Sequence, residues 1–175
     1  RAYNEEMVKY RDSRGGTYEN SILSTSFNVL QGKCIGATPD GRLAGEAVSD
    51  NASPMVGRDT TSPTATFRSV ASIDQSDVNN GTLLNVKFSP SVIKGEQGKK
   101  ILKNCIESYF GMNGEHVQIN VMDKKTLQEA QKNPSEYRNL LVRVAGYSAY
   151  FVELDREVQD NIIGRTEHTN VGCCC

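Results

Sequence analysis

The 175-residue sequence predicts an α/β fold in which a loop around a glycine follows a strand near the C-terminus. Residues 84–88 alternate apolar and polar side chains, as a strand does, and residues 98–110 place apolar side chains at helical spacing. Residues 140–165 combine a short strand, a glycine loop and a helix. Strands and helices that alternate along a chain favour the α/β class.

The N-terminal third of the sequence predicts two helices followed by polar loops. Residues 1–11 are highly charged and predicted to be helical, and the Asp-Ser-Arg-Gly-Gly run at 12–16 ends that helix. Residues 17–30 are predicted to form a second helix, because their apolar residues share one face: Ile22, Leu23, Phe27 and Leu30. The polar span 45–64 is unusually long for a structureless loop in a compact domain.

The central and C-terminal regions predict the α/β part of the chain. Its predicted segments are a helix at 64–73, a strand at 84–88, a helix at 98–110 ended by Gly111, a strand at 116–122, a helix from the N-cap Asp123 through Lys132, a strand at 140–144 and a helix at 155–165. The last strand–helix–strand succession predicts a parallel crossover unit. The glycine loop would then lie at the carboxyl end of a strand, where α/β proteins place reactive groups.

Composition argues against several classes of function. The formal net charge is −1 and no basic stripe interleaved with aromatic residues is present, so we expect no nucleic-acid partner. The apolar runs are only a few residues long, so we expect no membrane span. No signal peptide is visible, and the sequence begins with Arg1 rather than Met, which suggests a fragment or a processed chain.

The cysteines and histidines do not predict a metal site. The five cysteines lack disulfide or zinc-knuckle spacing: Cys34, Cys105, Cys173, Cys174 and Cys175. Cys105 is expected in the core. The three terminal cysteines are interpreted as a disordered tail or a sequence artefact, with metal binding as the third and least favoured alternative. His116 and His168 lack ligand spacing, and no nucleophile elbow surrounds Ser148. We therefore predict no bound cofactor, no metal and no conventional hydrolase.

The stretch Arg-Val-Ala-Gly-Tyr-Ser-Ala-Tyr-Phe at 143–151 contains the candidate site residue, Gly146. The residues alone permit a turn glycine that ends a strand. They also permit a chemical role, because a glycine Cα has no Cβ to clash when the carbon flattens. A radical on that carbon gains electron density from the amide nitrogen and loses it to the carbonyl group, and both effects stabilise the radical.

The same stretch resembles the radical-bearing loop of the glycyl radical enzymes of the pyruvate formate-lyase-like family. A second motif is similar to the C-terminal part of that family: Ala-Thr-Pro-Asp-Gly-Arg at 37–42, followed by Ser-Asp-x-x-Ser-Pro at 49–54. The two motifs are independent and far apart, and the resemblance extends from residue 32 to residue 168.

The resemblance implies that the chain is the C-terminal part of a ten-stranded α/β barrel and that Gly146 carries a backbone radical. It divides the chain into a helical segment of the upstream barrel domain at 1–31, a glycyl radical region at 32–168 and a Cys-rich tail at 169–175 that is expected to be disordered. The span 45–64 would pack on the upstream barrel. Oxygen would destroy the radical and cut the backbone at Gly146.

The resemblance also implies partners. A radical S-adenosylmethionine activating enzyme, an iron–sulfur activase, would remove one hydrogen atom from Gly146. The radical would then generate a thiyl radical on a cysteine of an upstream Gly-Cys-x-Glu-like loop. This sequence lacks that loop, so neither Cys34 nor Cys105 is assigned the role. The complete enzyme would be a homodimer that acts on a small-molecule substrate in the cytoplasm of an anaerobic bacterium, free or in a microcompartment.

The residues around the glycine resemble the dehydratase and lyase branch, which cleaves C–O, C–N or C–C bonds. Ala145 and the run 148–154 are similar to that branch, whereas pyruvate formate-lyases tend to have Ser before the radical glycine. Three hypotheses stay open at this point: the radical-bearing part of a larger enzyme, a stand-alone spare-part domain that repairs an oxygen-damaged enzyme, and an inert binding domain with a decayed motif. Pyruvate formate-lyase (formate C-acetyltransferase) itself is a further alternative to the first. The chain alone is expected to be inactive.

Overall fold

The fold is taken from a computed structural model that describes residues 2–171. Its helices and strands, in chain order, are α1 (Ala2–Met7), α2 (Phe27–Cys34), α3 (Pro63–Ala71), β1 (Asn85–Phe88), α4 (Gly95–Gly111), β2 (Gln118–Val121), α5 (Lys124–Lys132), β3 (Leu141–Arg143), β4 (Ser148–Tyr150), α6 (Arg156–Gly164) and β5 (Glu167–His168). Single 3₁₀ turns cover Gln75–Asp77 and Phe151–Glu153.

A three-stranded parallel sheet forms the centre of the described chain, in the order β2-β1-β5. Val86 pairs with Ile119 of β2, and Phe88 pairs with His168 of β5. All four residues of β1 are buried, as expected for a central parallel strand covered on both faces. Helix α4 makes the crossover between β1 and β2, which confirms the predicted α/β class.

Strands β3 and β4 form a separate antiparallel hairpin whose turn contains Gly146. The predicted crossover through α5 is therefore wrong, because β3 pairs with β4 and not with β2. Side-chain hydrogen bonds from Asn120 of β2 replace the backbone hydrogen bonds that would pair β2 with β3. Asn120 Nδ2 donates to the Arg143 carbonyl at 2.8 Å, and Asn120 Oδ1 accepts from the Arg143 amide at 3.0 Å. The crossover unit is instead β1–α4–β2.

The predicted helix at 17–30 is also wrong for most of its length, since the helix begins only at Phe27. The preceding segment is rich in Ser, Thr and Asn, whose side chains compete with helical hydrogen bonding. Thr25 has a φ of 49°, which a right-handed helix does not allow. The Ile22 amide donates instead to the Gly81 carbonyl at 3.0 Å, so tertiary contacts replace the helix.

The other predicted helices and strands of residues 64–165 are confirmed within a few residues of their observed ends. The first helix is shorter than predicted, because α1 ends at Met7 and not at residue 11. The prediction of a disordered tail falls partly outside the described residues, which stop at Val171, and the three terminal cysteines lie beyond that limit.

Two apolar clusters flank the central sheet. One joins β1 to α3 and α4, and its buried members are Phe67, Val70, Leu84, Val86, Phe88, Cys105 and Tyr109. The other joins the hairpin to α5 and α6, and its buried members are Leu127, Ala130, Val142, Val144, Phe151, Ile162 and Ile163. Cys105 therefore lies in the core, as predicted, whereas Cys34 is exposed. The hairpin that carries the glycine therefore packs against the second of these clusters.

Candidate functional site

Gly146 lies in the turn that joins β3 to β4. The Val144 amide donates to the Tyr147 carbonyl at 2.9 Å and closes the turn. Gly146 has a φ of +79°, a conformation that residues with a Cβ rarely adopt. A Cβ at this position would lie 3.4 Å from Leu83 Cδ1, which is an ordinary contact. The backbone conformation alone thus favours glycine, and the residue itself is exposed.

The amide of Gly146 is held by a buried side chain of the central sheet. Gly146 N–H donates to Gln118 Oε1 at 2.9 Å. Gln118 is 4% exposed, and its Oε1 also accepts from Arg143 Nη2 at 3.2 Å. Its Nε2 donates to Asn85 Oδ1 at 2.9 Å. The peptide group before Gly146 is therefore fixed by strand β2, and Gln118 in turn by strand β1.

The carbonyl groups before the turn are held by Arg165, which follows helix α6. Arg165 Nη2 donates to the Val144 carbonyl at 2.7 Å, and Asn85 Nδ2 approaches the same oxygen at 3.3 Å. Arg165 Nη1 donates to the Arg143 carbonyl at 3.3 Å, where Asn120 also donates. Sequence reasoning missed these anchors, because Arg165 reads as an ordinary basic residue at a helix end.

Arg165 is paired with Asp50 at 2.7 Å, and the two side chains are 10% and 3% exposed. Asn85 Nδ2 also donates to the Asp50 carboxylate at 2.8 Å. Burial raises the pKa of the Asp50 carboxyl above its ordinary value, although Arg165 and Asn85 act in the opposite direction. Burial likewise lowers the pKa of the Arg165 guanidinium. Because desolvation opposes both charges, the ion pair adds little net stability, and its main effect is to hold the Arg165 side chain in place.

Lys87 of β1 lies beneath this network and is 2% exposed. Its Nζ lies 3.4 Å from the Ile162 carbonyl and 3.3 Å from the Ile163 carbonyl, near the end of α6, where the helix dipole favours a cation. Burial lowers the pKa of Lys87 to about 8, against a smaller opposite effect of Glu167. Folding thus removes a strongly hydrated charge from water.

Lys87→Met is expected to change how stability depends on pH. The folded pKa of Lys87, about 8, lies below its unfolded value of 10.5. Between these values the unfolded state binds more protons, so stability of the wild type rises with pH. Urea unfolding from about pH 7 to pH 10 measures the free energy of unfolding of both proteins. The free energy of the wild type should rise relative to that of the variant, by up to about 1.4 kcal/mol per pH unit. Cys105 and Tyr109 titrate in both proteins and cancel in the difference, so a flat difference would contradict the assignment.

The predicted site residues and candidate ligands end in different places. Gly146 follows a strand, as predicted, but its turn leads into β4, a strand that the sequence did not predict. His168 belongs to β5, is 4% exposed and lies 3.4 Å from the Asp59 carboxylate. His116 precedes β2 and is half-buried. Within residues 2–171, no group of three or more His, Cys, Asp and Glu residues could hold a metal ion.

In the described part of the chain, none of the helices α1 to α6 is both long enough and apolar enough to cross a bilayer.

Comparisons with known proteins identify relatives of the whole described region. The family model "Glycine radical" matches residues 48–152, more than half of the chain and including Gly146. The trans-4-hydroxy-L-proline dehydratase of Clostridioides difficile is 47% identical over 96% of this chain and 21% of its own length. The indoleacetate decarboxylase of Tractidigestivibacter scatoligenes is 46% identical over 88% of this chain and 18% of its own length.

A solved structure supports the same relationship. The glycerol-bound B12-independent glycerol dehydratase of Clostridium butyricum superposes with a TM-score of 0.93 at 49% identity, over 96% of this chain and 21% of the dehydratase. The chain therefore spans about a fifth of the length of these relatives and matches their C-terminal portion. The match of the family model and the two relatives establish the conclusion: this chain belongs to the glycine radical family.

Proposed function

We propose that Gly146 carries a backbone radical and that this chain is the radical-storing part of a dehydratase or lyase. One observation carries the proposal: the peptide groups before Gly146 are held by buried side chains, whereas Gly146 is exposed. A turn glycine needs only the positive φ. An exposed Cα that follows a fixed peptide group is suited to losing a hydrogen atom to a partner and to keeping the radical geometry afterwards.

The radical in this family is installed after translation. In the proposed step the Gly146 Cα–H bond breaks homolytically, and the hydrogen atom passes to a radical that an iron–sulfur activating enzyme generates from S-adenosylmethionine. The carbon then flattens, which a Cβ would oppose.

The hairpin also presents an apolar surface suited to a second partner. Leu141, Tyr147 and Tyr150 are 55%, 41% and 43% exposed. Leu141 and Tyr150 are cross-strand partners, and exposed apolar patches mark interaction sites. We assign this surface to the upstream part of the same enzyme, which the proposal describes as a ten-stranded α/β barrel. Its cysteine would form the thiyl radical, because this sequence lacks the Gly-Cys-x-Glu-like loop, Cys105 is buried in an apolar cluster and Cys34 lies on α2.

The reaction class follows the named relatives, which are two dehydratases and a decarboxylase. We therefore propose a small-molecule substrate cleaved at a C–O, C–N or C–C bond, in a homodimeric cytoplasmic enzyme of an anaerobic bacterium. The region 32–168 is proposed as the radical unit. A repair domain without its own barrel stays the alternative hypothesis, and the sequence of the complete gene product distinguishes the two.

Electron paramagnetic resonance tests the proposal. The complete gene product is incubated without oxygen with its activating enzyme and S-adenosylmethionine, and a doublet from the single remaining α-hydrogen is expected. Protein grown on glycine deuterated at Cα should give a collapsed doublet, and samples without S-adenosylmethionine should give no signal. Absence of a doublet with an activase that activates another family member would contradict the proposal.

A further inference from the structure

We propose that Gln118 is a positioning residue that fixes the Gly146 amide for radical formation and storage, an inference that depends on the proposed role of Gly146. Gln118 Oε1 accepts the Gly146 N–H at 2.9 Å, and the side chain is 4% exposed. The residue lies on β2, 28 positions before the glycine. A buried side-chain amide thus reaches from the central sheet to the turn.

The network determines which end of the Gln118 amide faces Gly146. Asn85 Nδ2 donates to Asp50 and approaches the Val144 carbonyl, so Asn85 Oδ1 must face Gln118 as an acceptor. The Gln118 NH₂ group therefore faces Asn85, and its oxygen faces Gly146. The orientation of the acceptor is set by an ion-paired carboxylate two side chains away.

The register of the sheet explains the placement. Asn85 of β1 pairs directly with Gln118 of β2, so the two side chains are neighbours. Gln118 and Asn120 are two residues apart and share one face of β2. Asn120 holds the Arg143 backbone and Gln118 holds the Gly146 amide. Strand β2 thus presents two carboxamides to the hairpin at the edge of the sheet, where a fourth strand would otherwise pair.

This contact bears on the stability of the radical itself. A Cα radical is stabilised only while the nitrogen lone pair overlaps with the flattened carbon, which requires the preceding peptide plane to keep its orientation. The bond to Gln118 Oε1 holds that plane and polarises the N–H bond toward a more electron-rich nitrogen. Loss of the acceptor should lower radical yield and alter the hyperfine coupling of the Gly146 amide proton.

The test compares Gln118→Met with a matched buried control, Gln75→Met, in the complete gene product. Gln75 is 2% exposed and bonds Thr82 and the Glu115 amide, with no contact to Gly146. After anaerobic activation, Gln118→Met is expected to give about five-fold less radical per folded protein, the effect of one neutral hydrogen bond. Difference spectra between H₂O and D₂O should show a changed amide-proton coupling. Gln75→Met should match the wild type in both.

A second variant keeps the acceptor. Gln118→Glu retains an oxygen toward the Gly146 amide and a charge partner in Arg143, while it loses the donor to Asn85. It should lose stability but give more radical per folded protein than Gln118→Met does. The inference is overturned if Gln118→Met matches the wild type, if Gln75→Met loses as much radical, or if Gln118→Glu gives as little radical as Gln118→Met. A wild type without any doublet would instead remove the proposed function.

Discussion

Gly146→Ala is expected to abolish the radical doublet while the protein still folds. The added Cβ opposes flattening of the Cα, so the captodative stabilisation is lost. The φ of +79° makes alanine strained by about 1–2 kcal/mol, whereas the nearest atom, Leu83 Cδ1 at 3.4 Å, leaves room for the methyl group. Electron paramagnetic resonance after activation measures the radical, and urea unfolding measures the cost in stability.

Gly45→Ala is the matched control for that variant. Gly45 has a φ of +82°, and a Cβ there would meet no heavy atom within 4 Å, so the substitution carries the same backbone strain without touching the hairpin. We expect a similar loss of stability and a full radical signal. A doublet in Gly146→Ala would place the radical on another residue.

Among the variants proposed, Arg165→Met is expected to give the largest loss of stability. It removes the partner of Asp50 at 2.7 Å and the donors to the Val144 and Arg143 carbonyls. A buried charge that loses its partner typically costs about 3–5 kcal/mol. The Val144 carbonyl keeps only Asn85 at 3.3 Å and the Arg143 carbonyl only Asn120. The weaker hold should also loosen the hairpin, so radical yield per folded protein should fall. Urea unfolding and spin counting on the same preparation measure the two effects.

Two further variants separate charge from position in that result. Lys33→Met breaks an exposed ion pair with Glu157 and should cost less than about 1 kcal/mol. The double variant Asp50→Asn with Arg165→Met removes both buried charges, so stability should recover in part. Radical yield should stay low in the double variant, since the Val144 carbonyl still lacks the Arg165 donor and keeps only Asn85 at 3.3 Å. Full recovery of the radical would show that Arg165 acts through charge alone.

Hydrophobic periodicity was sufficient for much of the fold. Strand β1 and helix α4 were predictable, because their apolar residues repeat at the strand and helix periods over several residues. Strand β5 spans only two residues, too short for any pattern to show. The helix prediction for segment 17–26 is wrong because Ile22 is held by a contact with Gly81, which no local pattern encodes.

The position of the glycine was predictable from its local motif, whereas its supports were not. Gln118 and Asn120 read as polar positions of a half-exposed strand, yet both are buried and face the hairpin. Asp50 and Arg165 are 115 residues apart in sequence, so only the fold brings them together. Sequence spacing can identify functional residues that lie together in one loop. It cannot identify residues that come from several helices and strands and meet only in the fold.

Mass spectrometry after exposure to air tests the central claim most directly. The activated complete gene product, with its doublet already recorded, is exposed to oxygen and compared with protein that was never activated. The account predicts a cut in the activated sample alone, with one fragment that ends just before Gly146. An intact chain, or a cut at another residue, from protein with a verified doublet would contradict the assignment of the radical to Gly146.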